Sequence, residues 1–201
     1  MFSFISCSDW LDVNVNPNTP TDQSATIENR LPHIQFYTNH AYQIASMRTF
    51  MAMGDMTMNS RTSTYGAAAQ WQASASWTTT PYQWFLVGSG SNLQILYDKA
   101  MQQQAWHYAA ASRLIHAYGY MLMTDLYGEM PYTEGLGESS VPKYDNGKTI
   151  YLGCLGEIDE AIELFQKTQA VSVPALSLGD TWANGDVNKW LKMAYLLKAR
   201  W

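Results

Sequence analysis

The chain has 201 residues, enough to bury one hydrophobic core, and its 12 basic and 17 acidic side chains give a formal net charge of -5. Because phosphate binding depends on many Lys or Arg contacts and the chain has no basic cluster, nucleic acid is not an expected partner. No apolar run approaches the roughly 18 residues of a membrane-spanning helix.

Residues 1–20 contain a cysteine in a distinctive context, followed by a turn-rich segment. The apolar and small residues 4–6, Phe-Ile-Ser, precede Cys7, and this pattern resembles the end of a bacterial lipoprotein signal. Lipid at Cys7 is one interpretation, and an ordinary thiol near the terminus is the other. We expect the following segment to be extended rather than a calcium loop, since Pro17 stands where that loop needs Gly and Gln23 where it needs Glu.

Residues 51–92 mix small polar residues with aromatic ones and show little periodicity, so we expect short helices and loops. Pro81 is expected to be a break, and residues 88–91, Gly-Ser-Gly-Ser, a flexible connection into a helix that begins near Asn92. The aromatic residues could form a stacking platform, because an indole face covers the apolar side of a pyranose ring. They could equally fill gaps between helices. The candidate ligand-binding residues are Trp71, Trp77, Tyr82, Trp84 and Asn92.

A long helix is predicted from residue 105, because apolar residues recur there at spacings of three and four. Others lie off this stripe, which indicates neighbours on more than one side, and Gly119 would be tolerated if another helix approaches closely. The helix should end near Tyr127, since Gly128 can adopt a left-handed cap and Pro131 cannot continue the ladder. The stripe consists of Trp106, Ala110, Leu114, Ala117, Tyr118, Met121 and Leu122.

Two further amphipathic helices are predicted. One covers residues 150–167 and carries Cys154, which we expect to be a small buried hydrophobic residue. The other begins at Val187, with Asp186 as its N-terminal cap.

The search for catalytic and metal sites is negative. The four histidines include no His-x-x-x-His pair, so no metal site is predicted. Asp125, Glu129 and Glu134 could suggest glycoside hydrolysis, which needs two carboxylates. We expect Asp125 and Glu129 instead to hold the turn after the long helix through backbone hydrogen bonds. Without a nucleophile elbow, a phosphate loop or a dinucleotide fingerprint, neither catalysis nor a cofactor is predicted.

Several blocks of the sequence together resemble one protein family. The strongest is residues 105–136, AWHYAAASRLIHAYGYMLMTDLYGEMPYTEGL, and the chain is similar there to the SusD/RagB-like outer-membrane lipoproteins. The other matching blocks are residues 11–14, 16–20, 142–145, 150–151, 155–164 and 185–200. The resemblance implies an all-α fold of degenerate tetratricopeptide-like helical pairs with long irregular loops. It also implies a lipoprotein-like N-terminus at residues 1–20 and the N-terminal part of a SusD-like helical domain at residues 21–201, because family members are generally longer.

The resemblance further implies a function. Such a protein would be anchored in the outer membrane through lipid at Cys7 alone, face the cell exterior, bind nutrient oligosaccharides or peptides and deliver them to a TonB-dependent transporter. The alternative is a helical-repeat module that binds only another protein. That alternative predicts that Trp71, Trp77 and Trp84 are buried.

Overall fold

The computed structural model describes residues 25–56, 67, 69–72, 75–137 and 139–201, with the backbone alone for residues 75–78. Cys7 and the extended segment predicted within residues 1–20 lie outside this part. The described chain is all-α, as predicted, and its β structure is limited to an isolated bridge between Met130 and Asp145. Its elements are α1 Ile27–Met53, α2 Ala75–Tyr82, a π-helix Gln83–Gly90, α3 Ser91–Gln102, α4 Trp106–Tyr127, α5 Gly147–Phe165, a 3₁₀ turn Leu176–Leu178 and α6 Val187–Arg200.

The core is built around α4, which packs most extensively against α5 and α3 and also contacts α1 and α6. Apolar residues on several sides of α4 are buried, as the wide stripe predicted. At Gly119 the close neighbour is the π-helix, because a Cβ there would overlap the ring of Phe85. Cys154 on α5 is fully buried in the same core.

The ends of the helices follow the capping chemistry of the sequence. Helix α4 ends at Tyr127 as predicted, and Gly128 has a positive φ of 74°, which glycine accepts. Its ψ of -121° lies outside the predicted left-handed cap conformation, so that part of the prediction is wrong. The Asp186 carboxylate accepts hydrogen bonds from the first backbone N–H groups of α6, which confirms it as the N-cap. Helix α5 begins three residues earlier than predicted, because the Asn146 side chain caps it by accepting from Thr149 N at 2.9 Å.

The predicted break at Pro81 and the flexible connection at residues 88–91 are wrong. Pro81 lies inside α2, and the chain stays helical through the π-helix Gln83–Gly90 into α3. The glycines here serve close packing, since a Cβ at Gly88 would overlap the ring of Tyr37. Ser89 is fully buried, and its hydroxyl shares a hydrogen bond of 2.8 Å with Thr38.

Asp145 holds the turn after α4, in place of the predicted Asp125 and Glu129. One carboxylate oxygen of Asp145 accepts from Tyr132 N at 3.1 Å and from Thr133 N at 2.7 Å. The backbone hydrogen bond from Thr133 is the main reason why the pKa of Asp145 lies below its usual value. Asp125 instead contacts Arg200 on α6 at 3.3 Å.

A buried carboxylate joins α1 to the segment before α6. Asp180, 5% exposed, accepts from the Gln35 side chain at 2.7 Å and from the Trp190 indole at 2.8 Å. Three backbone N–H groups, at Trp182, Ala183 and Gly185, complete its shell at 2.8 to 3.2 Å. Burial acts to raise the pKa of Asp180, but these hydrogen bonds outweigh it and the pKa is lowered.

Candidate functional site

A cavity of about 410 Å³ opens beside the C-terminal half of α1, and we call it the Trp71 cavity. Its volume is within the range of small-molecule binding pockets, about 300 to 1,000 Å³. The residues lining it are Ala45, Arg48, Thr49, Ala52, Met53, Trp71, Pro81, Leu126 and Tyr127. They come from α1, from the segment before α2, from the end of α2 and from the end of α4, so the cavity forms only when these segments pack together.

Trp71 presents an indole to this cavity. Its side chain is 75% exposed, so it contributes little to the core. Its φ of 57° lies in the left-handed region, which an L-residue with a Cβ adopts at a cost of about 1 to 2 kcal/mol. Such strain is concentrated at functional sites. Exposure and backbone conformation both separate Trp71 from a core tryptophan. The burial of Trp71 that the protein-binding alternative predicts is therefore wrong.

Polar groups lie in the wall of the Trp71 cavity. Arg48 is 8% exposed, and its guanidinium donates to Thr80 Oγ1 at 3.1 Å. Tyr127 packs edge-on against Tyr82, with ring centroids 6.0 Å apart. Burial raises the pKa of Tyr127, and a backbone hydrogen bond with Tyr82 acts in the opposite direction. A phenol is in any case protonated at neutral pH, because its ordinary pKa is about 10. A cation and a phenol thus border a wall that is mostly apolar.

The five predicted ligand-binding residues do not form one site. Trp71 lines the Trp71 cavity, and Tyr82 reaches it through Tyr127. Trp84 lines a different cavity, against Tyr37 on α1.

The remaining two candidates are Asn92 and Trp77. Asn92 is engaged within the fold, because its side-chain oxygen accepts from Arg30 and its amide donates to the Gly88 carbonyl at 3.4 Å. Trp77 is part of α2, and its side chain is outside the described part.

The acidic residues considered for hydrolysis are held in separate contacts. Asp125 lies against Arg200, and Glu134 accepts from Lys143 N at 3.0 Å. Among the described residues no group of three or more His, Cys, Asp or Glu side chains could hold a metal ion. Over the same part of the chain, no helix is long and apolar enough to cross a membrane.

A comparison with protein families decides the relationship of the chain. Residues 17–201 match the SusD-like model described as "Starch-binding associating with outer membrane". The chain belongs to the SusD-like family. A search of curated proteins finds no significant match.

A solved structure shows the same fold. A SusD/RagB family protein from Bacteroides thetaiotaomicron superimposes with a TM-score of 0.71 at 22% sequence identity. The alignment covers 88% of this chain and 38% of that one, so the SusD-like chain spans less than half the length of this relative. The likeness confirms the predicted SusD-like fold.

Sequence reasoning missed two residues of the SusD-like chain's cavity. Arg48 lies on α1, which carries no strong amphipathic signal because it buries polar residues as well as apolar ones. Tyr127 was predicted as a helix end only. The composition of residues 51–92 pointed to Trp71, but no local pattern indicates that α1 and α4 meet beside it.

Proposed function

We propose that this SusD-like chain binds neutral oligosaccharides in the Trp71 cavity and serves nutrient uptake at the outer membrane. The observation that carries the proposal is the exposed indole of Trp71 in a cavity that Arg48 and Tyr127 also line. The family description, which concerns starch binding and the outer membrane, supports the same ligand class.

The cavity suits one face of a sugar ring and its hydroxyls. The Trp71 indole can cover the apolar side of a pyranose, while the Tyr127 hydroxyl and the Arg48 guanidinium supply hydrogen-bond donors in the same lining. None of the described residues lining the cavity is a carboxylate. Because glycoside hydrolysis requires a pair of carboxylates, the lining supports binding without bond cleavage.

A peptide is the second ligand class, and Arg48 is the observation that favours it. A guanidinium pairs well with a carboxylate, so Arg48 could bind a peptide C-terminus at this depth. The two ligand classes differ in their dependence on charge. Because salt screens a buried pair only weakly, the sharper test is to amidate the peptide C-terminus. This should weaken binding of a peptide carboxylate to Arg48, whereas sugar stacking on Trp71 needs no charged group.

The cellular part of the proposal rests on the resemblance of the sequence. We propose that lipid at Cys7 anchors the protein with its binding face to the cell exterior, and that a TonB-dependent transporter receives the ligand. Metabolic labelling with a palmitate analogue tests the anchor, with Cys7→Ala as the variant that should lose the label. Co-purification from outer membranes tests the partner, and a protein isolated without a large barrel would contradict this part.

Calorimetric titration tests the binding site. The chain would be titrated with maltoheptaose, cellohexaose, xylohexaose and a mixture of short peptides. We expect a dissociation constant in the micromolar range or weaker, and Trp71→Ala should weaken binding about tenfold or more, which is about 1.4 kcal/mol. The matched control is Tyr195→Ala, which removes another exposed aromatic ring, 53% exposed, on α6. Equal affinity in both variants would place the ligand elsewhere.

A further inference from the structure

A second cavity, of about 460 Å³, lies along the N-terminal half of α1, and we call it the Trp84 cleft. The residues lining it are His33, Tyr37, Gln83, Trp84, Val87 and Gly88. The first two belong to α1, and the other four belong to the π-helix. Helices of this type are rare and occur frequently at functional sites.

The π-helix allows the two walls of the cleft to approach. Gly88 faces the ring of Tyr37, and a Cβ at this position would overlap that ring. Tyr37 can therefore lie close against the π-helix, where it stacks on Trp84 with ring centroids 5.1 Å apart and planes 29° apart. The aromatic wall of the cleft is therefore preformed.

Neighbouring rings fix the position of this pair. His40 meets Trp84 edge-on at 4.2 Å between centroids, and His33 lies 4.5 Å from Tyr37. Phe36 packs edge-on against Tyr37 and is 59% exposed, so the aromatic surface continues to the rim. A wall held by packed rings loses little side-chain freedom when a ligand binds.

The charge of the lining selects the ligand. None of the six lining residues is Lys, Arg, Asp or Glu. Phosphate groups therefore lack a Lys or Arg partner in this lining, although nucleic-acid bases could stack on the rings. Both imidazoles pack against rings, and the described residues contain no metal-binding group of three.

The remaining chemistry is that of a neutral ring with hydroxyl groups. The Tyr37–Trp84 pair offers an apolar aromatic wall, and the exposed Gln83 and His33 provide donors and acceptors at its rim. We propose that the Trp84 cleft is a second sugar-binding site, which takes a pyranose ring of a neutral glycan. A protein partner would need a patch of roughly 800 Å² on each side, far more than this cleft provides.

The second site is distinct from the Trp71 cavity and does not depend on the proposed function. The α1 residues of the two cavities are centred about 14 residues apart, which is roughly 20 Å along the helix. The two cavities share no lining residue. Each can therefore be removed without the other.

Fluorine NMR of the chain labelled with 5-fluorotryptophan tests the proposal. The Trp84 signal is assigned as the one missing in Trp84→Phe, and the Trp71 signal likewise in Trp71→Phe. Maltoheptaose, cellohexaose, xylohexaose and mannohexaose are added at millimolar concentrations. We expect at least one of them to shift the Trp84 signal, and the shift to persist in Trp71→Ala.

Substitutions at the rim provide the control. Gln83→Ala should weaken binding of the sugar that shifts Trp84 about threefold or more, whereas Gln102→Ala, at an exposed glutamine that ends α3, should leave its affinity unchanged. A Trp84 signal unmoved by all four sugars overturns the proposal, even if Trp71 responds. A Trp84 shift with a silent Trp71 supports the second site and contradicts the Trp71 cavity. A Trp84 shift that follows protein concentration without sugar indicates self-association and also overturns the proposal.

Discussion

Replacing Asp180 by Asn is the sharpest test of how α1 is held to the rest of the fold. The substitution keeps the size of the side chain but removes its charge and turns one acceptor oxygen into a donor. Of the two carboxylate oxygens, one accepts three hydrogen bonds and the other accepts two, from Gly185 N and the Trp190 indole. The Asn side chain can preserve at most one of these two groups.

The cost follows from the bonds that are lost. In the better of its two orientations, the new amide places its oxygen where three hydrogen bonds are accepted and keeps all three. Its NH₂ group then faces the N–H groups of Gly185 and the Trp190 indole, which have no acceptor left. Two charge-assisted hydrogen bonds are then lost in a buried site, at about 1.5 to 3 kcal/mol each. We expect Asp180→Asn to lower the free energy of unfolding by about 3 to 6 kcal/mol, a large part of the roughly 5 to 15 kcal/mol typical of a domain.

Urea unfolding followed by far-ultraviolet circular dichroism measures this change. Asp186→Asn is the matched control, since it makes the same chemical change six residues away, at an N-cap where Asn serves as well as Asp. The control should change stability by less than about 0.5 kcal/mol. If Asp180→Asn cost no more than Asp186→Asn, the proposed role of Asp180 in joining α1 to the segment before α6 would be wrong.

The pH dependence gives a second check on Asp180. Its pKa is lower in the folded chain than the value of about 3.9 expected when unfolded. The carboxylate therefore stabilises the fold fully above about pH 4, and this contribution is lost as the pH falls through the folded pKa. The stability difference between wild type and Asp180→Asn should be constant near neutrality and shrink below about pH 4.

Two further predictions use pairs of variants. Gly119→Ala should destabilise the chain by about 1 to 3 kcal/mol or more, because the new Cβ overlaps the ring of Phe85. Gly156→Ala on α5 should stabilise the chain by about 0.5 to 1 kcal/mol, because a Cβ there meets nothing within 4 Å. Thermal melting measures both, and a destabilising Gly156→Ala would contradict the open surface there. At the Trp71 cavity, Trp71→Gly should be more stable than Trp71→Ala by about 1 kcal/mol, since only Gly accepts a φ of 57° without strain. Equal stability of these two variants would show that the backbone at Trp71 is not strained.

Local signals in the sequence were sufficient for several features of the second half of the chain. The end of α4 at Tyr127, the start of α6 behind Asp186 and the buried Cys154 were all predicted. Each depends on a short stretch of sequence, either a capping residue or an apolar spacing of three and four. Such signals act within one or two turns and need no information about distant residues.

The segment from Pro81 to Ser91 shows where local reasoning fails. Proline and repeated glycine usually mark a break and a flexible loop. Here the chain stays helical past Pro81, and the absence of a side chain at Gly88 lets Tyr37 lie close to the π-helix. Whether a glycine is needed for packing depends on the residue that contacts it in the fold. That residue is distant in the sequence, so the residues next to the glycine do not reveal it.

The sequence by itself determined the all-α class, the family, the end of α4, the N-cap of α6 and the aromatic character of residues 51–92. Only the tertiary structure decided that Trp71 is exposed beside Arg48, that Trp84 belongs to a separate cleft with Tyr37, and that Asn92 is occupied by Arg30. The physical reason is the sequence separation of the residues that decide each feature. Helix formation and capping are settled by residues three or four positions apart, whereas a cavity is defined by side chains that approach across dozens of residues when α1 packs against the π-helix and α4.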